Sequence, residues 1–467
     1  MRSMRLSLAA LAAALSGCGG CRGNDDTGGP CEEREDHAHV SLSDVADAIL
    51  PDRTIALGDV DGDGIGDVGH YHYIDKGSSY LLEEYVFSGP IIGDQRQVSP
   101  SAVIVESGCP NSPYCERMGD LDGDGTSDLV CSSACDFGDR FLLGPVEGLV
   151  DLAEEEVAVP EVVNTYILPN VGDLNGDGLD DVVVKRYDGG SGGGGAYSVF
   201  SSTADLPLDP SSADATVQIP QTMESFALGN DCSPGDATCA DLDQDGYTDL
   251  LVRLWQHFDD HYIWEAVILH GPLAGEIDIL EAADAVVTLS EGTDAMTLRT
   301  AGDLLGDGEP SLVADSGSVW GYSEGSVYVY AGPFSGVVTL EPAARIDGPY
   351  GEAGRFSIAT DMDVNADGVG DLLLSYYYYW GYGYGETSGS PGYLFLGPLC
   401  GNMTYSDADV EFQLDAPDFV FDVAAAGDIS GDGVDDVILS SYVDNYWGDK
   451  YVLHGSADLM ERMMAHD

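Results

Sequence analysis

One acidic nonapeptide recurs seven times in this chain and limits what it can fold into. The first copy reads Asp59-Val60-Asp61-Gly62-Asp63-Gly64-Ile65-Gly66-Asp67, and further copies begin at Asp120, Asp173, Asp241, Asp303, Asp363 and Asp428. Subtracting successive starts gives steps of 61, 53, 68, 62, 60 and 65 residues. Repetition at such a period marks an array of one supersecondary unit that cannot bury its apolar face alone.

Each unit has the same parts. A strand of small residues enters the loop, as in Thr54-Ile55-Ala56-Leu57-Gly58, and an apolar strand leaves it, as in Asp181-Val182-Val183-Val184. A third strand follows, which in five copies ends in Gly-Pro, as in Tyr393-Leu394-Phe395-Leu396-Gly397-Pro398, where proline stops the strand because it cannot donate to the ladder; the third copy drifts to Ser198-Val199-Phe200-Ser201 and the seventh ends in Gly455-Ser456. A fourth segment follows, as in Ala283-Asp284-Ala285-Val286-Val287-Thr288. Four short strands per repeat, with helical periodicity nearly absent, predict an all-β seven-bladed β-propeller of four-stranded antiparallel blades. The seventh repeat stops after its third strand. The segment Ser43 to Leu50 resembles the missing fourth strand, so the N-terminal strand is expected to close the ring.

The loops read as cation sites. Position 1 is Asp59, Asp120, Asp173, Asp241, Asp303, Asp363 and Asp428, and position 5 is Asp63, Asp124, Asp177, Asp245, Asp307, Asp367 and Asp432. Position 3 is Asp61, Asp122, Asn175, Asp243, Leu305, Asn365 and Ser430, and position 9 is Asp67, Asp128, Asp181, Asp249, Ser311, Asp371 and Asp436. Carboxylates this dense repel unless a cation lies among them. Hard oxygen donors at alternate positions of a tight turn favour Ca²⁺ over Mg²⁺, which demands strict octahedral geometry. Glycine at position 6 permits the left-handed turn, and the position 7 carbonyl is expected as a further ligand. An EF-hand needs Glu at position 12 and flanking helices, whereas position 12 here is His70 in the first copy and Cys131 in the second. The fifth copy has lost positions 3 and 9 to Leu305 and Ser311, with Glu309 as a partial substitute. Asp303 and Asp307 are therefore expected to form a weak or empty loop, leaving about six structural calcium sites.

With these residues in view, the chain resembles the FG-GAP repeat proteins, whose repeats build the seven-bladed propeller of integrin α subunits and of many bacterial surface proteins. The resemblance covers residues 40–459 and rests on the D-x-[DNS]-x-D-G-x-x-D loops; the Phe-Gly and Gly-Ala-Pro elements are poorly kept. It implies calcium held within the blades. It also implies an alternative, since some propellers with related loops belong to polysaccharide lyases or phospholipases with a site in the central channel.

Charge and termini place the chain. There are 83 Asp and Glu against 17 Lys and Arg, a net charge of −66, which repels nucleic acid and anionic membrane surfaces. The chain opens with Arg2 and Arg5 and a short apolar run to Leu15, then Ser16-Gly17-Cys18. That pattern predicts a lipoprotein signal over 1–17 with lipid carried on Cys18, a flexible tether over 18–38, the propeller over 39–459 and a tail over 460–467. The expected protein is exported, anchored at the outer membrane or cell surface by lipid alone, and monomeric. Ten cysteines suit an oxidising compartment. Cys109/Cys115, Cys131/Cys135 and Cys232/Cys239 lie close in sequence, but Cys115 and Cys131 flank the second loop and could instead pair across adjacent strands.

No catalytic motif is nominated: there is no Walker loop and no H-E-x-x-H, and Ser, His and Asp occur without a local arrangement that marks a nucleophile. His257 and His261 lack the glutamate of a zinc helix, and His70 and His72 share one face of a strand. The aromatic run Tyr376 to Tyr384 suits either recognition or packing between blades; Asp188 to Gly195 reads as a flexible loop. The sequence thus points to a non-enzymatic calcium-binding propeller that serves as an adhesion, binding or scaffold module for an extracellular protein or glycan.

Overall fold

The computed structural model describes residues 37–466, except 76–79, 110–112, 133–138, 154–164, 169, 188–194, 202–209, 221–223, 226–240, 258–261, 290–296, 317–324, 349–354, 379–387, 416–417 and 444–445. The predicted lipid signal, Cys18 and most of the tether lie outside these residues, as do His261, Cys135, Cys232 and Cys239.

Seven small sheets form a ring, one per acidic repeat. In blade 1, strands Thr54–Gly58, Asp67–Asp75, Tyr80–Phe87 and Ala102–Val105 run antiparallel in that order. The other blades repeat this plan. In blade 2 the described strands are Tyr114–Gly119, Asp128–Ser132 and Asp139–Leu142. Seven apolar clusters fill the ring, and each is shared by two neighbouring blades. Strand alternation explains this. One face of a sheet meets the preceding blade and the other meets the following one, so both faces are apolar, and a lone blade would leave both in water.

The six blades with a described fourth strand also carry a fifth strand, parallel to the fourth, which the sequence reading did not include. In five of them it comes from the next repeat, just beyond that repeat's third strand, and in blade 6 it comes from the N-terminal segment. Gly148–Asp151 of repeat 2 pairs with Ala102–Val105 of blade 1, and Gly275–Asp278 of repeat 4 pairs with Ala215–Ile219 of blade 3. Each such strand covers an outer edge that would otherwise expose unpaired backbone groups. It also stitches consecutive blades together. Parallel strands need a long crossover, and here the crossover is most of a repeat.

The ring closes as expected, with a refinement. The segment expected as one strand is divided: Ala38–Ser41 is a strand, Leu42–Val45 a single helical turn, and Ala48–Leu50 a second strand. Ala48–Leu50 pairs antiparallel with Tyr446–Leu453 and supplies the fourth strand of blade 7. Ala38–Ser41 lies parallel to Val410–Gln413 and supplies the fifth strand of blade 6. A repeated side-chain bond fixes the register. Asp284 and Asp409 each accept the backbone N–H of the residue before Gly-Pro, from His270 and Leu396, and Asp47 accepts the equivalent N–H of His454 at 2.9 Å.

The final residues, read as a tail, instead form a helix, Leu459–Met464. Leu459 and Met463 are one helical turn apart, are buried, and pack with Ala38 and Val40. Arg462 reaches Asp47 at 2.8 Å, so both termini are fastened at the closing seam.

Of the cysteine arrangements, the cross-strand one is found. Cys115 and Cys131 are register partners in blade 2 and are disulfide-bonded, which rules out Cys109/Cys115 and Cys131/Cys135. Cys109 and Cys400 each take part in a further disulfide. Tyr376 is buried and packs edge-on to Phe356, so this end of the aromatic run serves packing; residues 379–384 of the run lie outside the described residues.

Candidate metal centres in the acidic loops

Each acidic loop joins the two innermost strands of its blade. The position 1 aspartate organises the turn by accepting backbone N–H groups. In the first loop Asp59 Oδ1 takes Gly62 at 2.7 Å and Asp63 at 3.1 Å, and Oδ2 takes Gly64 at 2.8 Å. Asp120, Asp173 and Asp428 repeat the pattern. The position 5 carboxylate accepts the position 7 N–H, as Asp63 does from Ile65 at 2.9 Å. Position 6 is left-handed as predicted, with φ of 87° at Gly64. Position 4 is left-handed too, a requirement the sequence reading missed. It is glycine in five copies, but Gln244 and Ala366 also adopt φ of 61° and 56° there.

Position 9 has a role in the fold, apart from its place as a candidate ligand. Asp67, Asp128, Asp181, Asp249, Asp371 and Asp436 all have 0 % exposure. Asp371 Oδ2 accepts the N–H of Val364 at position 2, and Oδ1 accepts that of Gly397 in Gly-Pro, both at 2.9 Å. Asp67, Asp128, Asp249 and Asp436 make the same pair of bonds. Position 9 therefore ties the loop to the end of the third strand. Blade 3 lacks Gly-Pro, and there the Asn175 side-chain amide donates to Asp181 Oδ1 instead. The sequence signal was present: the Gly-Pro or Gly-Ser turn accompanies every other intact loop.

The loops also join the blades. The Ser127 N–H at position 8 of loop 2 donates to the Asp59 carbonyl of loop 1 at 2.6 Å, and Val146, just past Gly-Pro, donates to the Val60 carbonyl at 2.7 Å. Equivalent bonds link Gly66 to Asp428, Asp180 to Asp120, Thr248 to Asp173 and Gly370 to Asp303. Between blades 6 and 7, Ser456 bonds the Val364 carbonyl, and Asp435 accepts the Asp363 N–H.

The donor set fits calcium. In three loops, one carboxylate oxygen from each of positions 1, 3 and 9 (Asp59, Asp61, Asp67; Asp120, Asp122, Asp128; Asp241, Asp243, Asp249) lies within 4.8 Å of the others. Oxygens about 2.3–2.6 Å from one ion can be at most about 5 Å apart, so these separations match a calcium shell. Asn175, Asn365 and Ser430 replace the position 3 carboxylate in loops 3, 6 and 7. Asp63, Asp124 and Asp245 are not among the clustered groups. The residue before Gly-Pro also reaches position 3: the Ser88 hydroxyl donates to Asp61, and His270 Nδ1 lies 3.1 Å from Asp243.

Without an ion the clusters are costly. Burial, reinforced by the carboxylates at positions 1 and 3, pushes Asp67 up to about 7 and Asp128 to about 6. Burial, with Asp177 and Asp173 adding to it, raises Asp181 to about 8. Burial also raises Asp371 to about 7, and Asp249 and Asp436 to about 6.

The fifth loop keeps the turn but not the donors. Asp303 still accepts from Asp307 and Gly308. Leu305 is instead buried in the apolar cluster between blades 5 and 6, and Ser311 is fully buried with a hydroxyl that has no partner among the described residues. Glu309 bonds Gln244 of loop 4 at 3.0 Å rather than filling the gap. Mutation separates the two kinds of position 9. Asp371→Asn leaves a donor facing a buried N–H and should cost about 2–4 kcal/mol. Ser311→Ala removes a hydroxyl with no partner and should change stability by under about 1 kcal/mol. Equilibrium denaturation of the two variants in calcium checks both values.

Among the described residues, no helix is long and apolar enough to cross a membrane. No family model matches this chain, and no curated protein matches it. Among solved structures it is similar to Drosophila Plexin A in complex with Semaphorin 1b, at 8 % identity and a TM-score of 0.41, over 88 % of each chain. The seven-bladed assignment therefore stands on the strand order and register described above.

Proposed function

We propose that this chain is a non-enzymatic, calcium-stapled propeller of the FG-GAP type, exported and held at the cell envelope by lipid on Cys18, which presents its loops to an extracellular protein or glycan. The observation that carries the calcium reading is the convergence of carboxylate oxygens from positions 1, 3 and 9 within one calcium shell, on loops that also bond to the next blade. Calcium would neutralise the carboxylates and lock each seam between blades. Export and anchoring are supported by the arginines and apolar run ahead of Cys18. A binding role is supported by the fold, which sets variable loops on a rigid ring.

Isothermal titration of the metal-free chain with calcium is the test. About six sites are expected, and Asp303→Asn in the fifth loop should leave that number unchanged. Binding of fewer than two ions, or equal affinity for magnesium, would overturn the metal reading.

A further inference from the structure

The outer edges of the blades are not equally protected. Each fifth strand is the last of its sheet, so its far side offers unpaired backbone groups. Four of the six end at once in a helical turn: Gly93–Asp94, Gly275–Asp278, Gly401–Thr404 and Ala38–Ser41 run into Gln95–Gln97, Ile279–Ala282, Tyr405–Asp407 and Leu42–Val45. Asp94 and Asp278 also place a carboxylate on the edge, and each caps its turn by accepting backbone N–H groups. Gly148–Asp151 ends in Asp151, which accepts the N–H groups of Ser107 and Ala153, and the next residue, Leu152, is buried. Short length, charge and an abrupt turn are devices that keep a sheet edge from recruiting a further strand.

Blade 4 lacks all three. Its fifth strand, Gly336–Leu340, is the longest at five residues and pairs along its whole length with Ala285–Leu289. It carries no charge, and no helical turn follows it. The Gly336 N–H reaches the Asp284 carbonyl at 2.7 Å, and the Thr288 hydroxyl reaches the Val338 carbonyl at 3.3 Å, so the backbone groups of 336 and 338 face the blade. The alternate residues, Val337 and Thr339, then direct their N–H and C=O outward. Both are exposed, Val337 to 84 %. Among the described residues no strand pairs with this side. Carboxylates bracket the uncharged run: Asp284 stands beside Gly336, and the exposed Glu341 follows Leu340.

We propose that this edge docks an extended, basic segment of a partner protein, which adds to blade 4 as a sixth strand. The segment's backbone pairs with the N–H and C=O groups of Val337 and Thr339. A β-branched side chain lies against Val337, and Lys or Arg at the ends of the segment meets Asp284 and Glu341. Charge selects this occupant. A second copy of the chain would bring another −66 to the seam, and an acidic segment would be repelled in the same way. A glycan lacks the regular row of amides that matches a strand edge. The proposal rests on the reading of the ring as an extracellular binding module, but not on its calcium.

Titration of the full chain, in calcium, with the heptapeptide KVTVTVK tests this, with EVTVTVE and KVTPTVK as comparisons. The basic peptide should bind with a Kd on the order of 0.1–1 mM, and the acidic and proline-interrupted ones at least about tenfold more weakly. Val337→Pro removes an outward N–H and spares the ladder to Ala285–Leu289, so it should weaken binding about tenfold. Leu149→Pro, at the equivalent outward position on the edge of blade 1, should leave it unchanged. If Val337→Pro lowers the melting temperature, hydrogen exchange of the parent chain decides the matter: KVTVTVK should slow exchange in residues 336–340 and not in 148–151. Failure of KVTVTVK to bind, equal binding of EVTVTVE, unchanged binding by Val337→Pro, or protection elsewhere overturns the proposal. Self-association of the chain that Val337→Pro abolishes would put a second copy on this edge and overturn it too. Peptide binding without calcium binding would sink the metal reading only, and six bound calcium ions without peptide binding would sink this one only.

Discussion

Chelation at pH 8 is expected to lower the melting temperature of this protein by roughly 15 °C, and at pH 5 by much less. The size follows from six sites contributing about 2.7 kcal/mol each when calcium is about a hundredfold above its Kd. Unfolding entropy for a chain of this length is on the order of 1 kcal/mol per kelvin. The pH dependence follows from position 9. In the metal-free ring these aspartates titrate near 6 to 8, against the ordinary 3.8. Between those values the folded state holds protons that the unfolded chain has released, so the bare ring loses stability as pH rises through the window. Calcium binds only the ionised carboxylates, so the loaded ring instead loses stability as pH falls through it. Thermal melts with calcium and with chelator, at both pH values, measure the two slopes. Equal chelator shifts at pH 5 and pH 8 would contradict the placement of these carboxylates at the ion.

Removal of residues 1–50 should open the ring, whereas removal of 1–36 should not. The segment Ala38–Leu50 gives blade 6 its fifth strand and blade 7 its fourth. Val40, Leu42, Val45 and Leu50 are all buried there. At about 1.5–3 kcal/mol for each buried side chain, the loss is comparable to the whole net stability of a domain, about 5–15 kcal/mol. The exposed edge of Tyr446–Leu453 would then be free to pair with another copy. Light scattering and denaturant titration of the two truncations distinguish them. A cooperative, monomeric 51–467 chain of near-parental stability would show that closure does not depend on this segment.

Much of this was legible beforehand because the repeat carries its own punctuation. Asp and Gly at fixed offsets mark the turn, the apolar runs mark the inner strands, and Gly-Pro marks the end of the third. Ala46-Asp47-Ala48 was recognisable as the missing fourth strand because it matches Ala283-Asp284-Ala285. The defect of the fifth loop was equally plain in Leu305 and Ser311. Other features were not legible. The parallel fifth strands are two to five residues long and carry mixed sequences such as Gly401–Thr404, with no alternation to read. Their pairing partners lie most of a repeat away, so they exist only once the ring has formed. The closing helix was hidden by its brevity, and Leu459 and Met463 acquire meaning only against Ala38 and Val40.

The sequence by itself determined the number of blades, the position of every acidic loop and the oxygen-rich character of its donors, because these depend on local spacing and on charge. The tertiary structure alone decided what the loops join. Position 9 acts across its blade to the Gly-Pro turn, and the carbonyls at positions 1 and 2 act across the seam to the next blade. Those bonds connect residues tens of positions apart. Periodicity within one repeat holds no record of them, since backbone donors and acceptors look alike at every residue until folding chooses their partners.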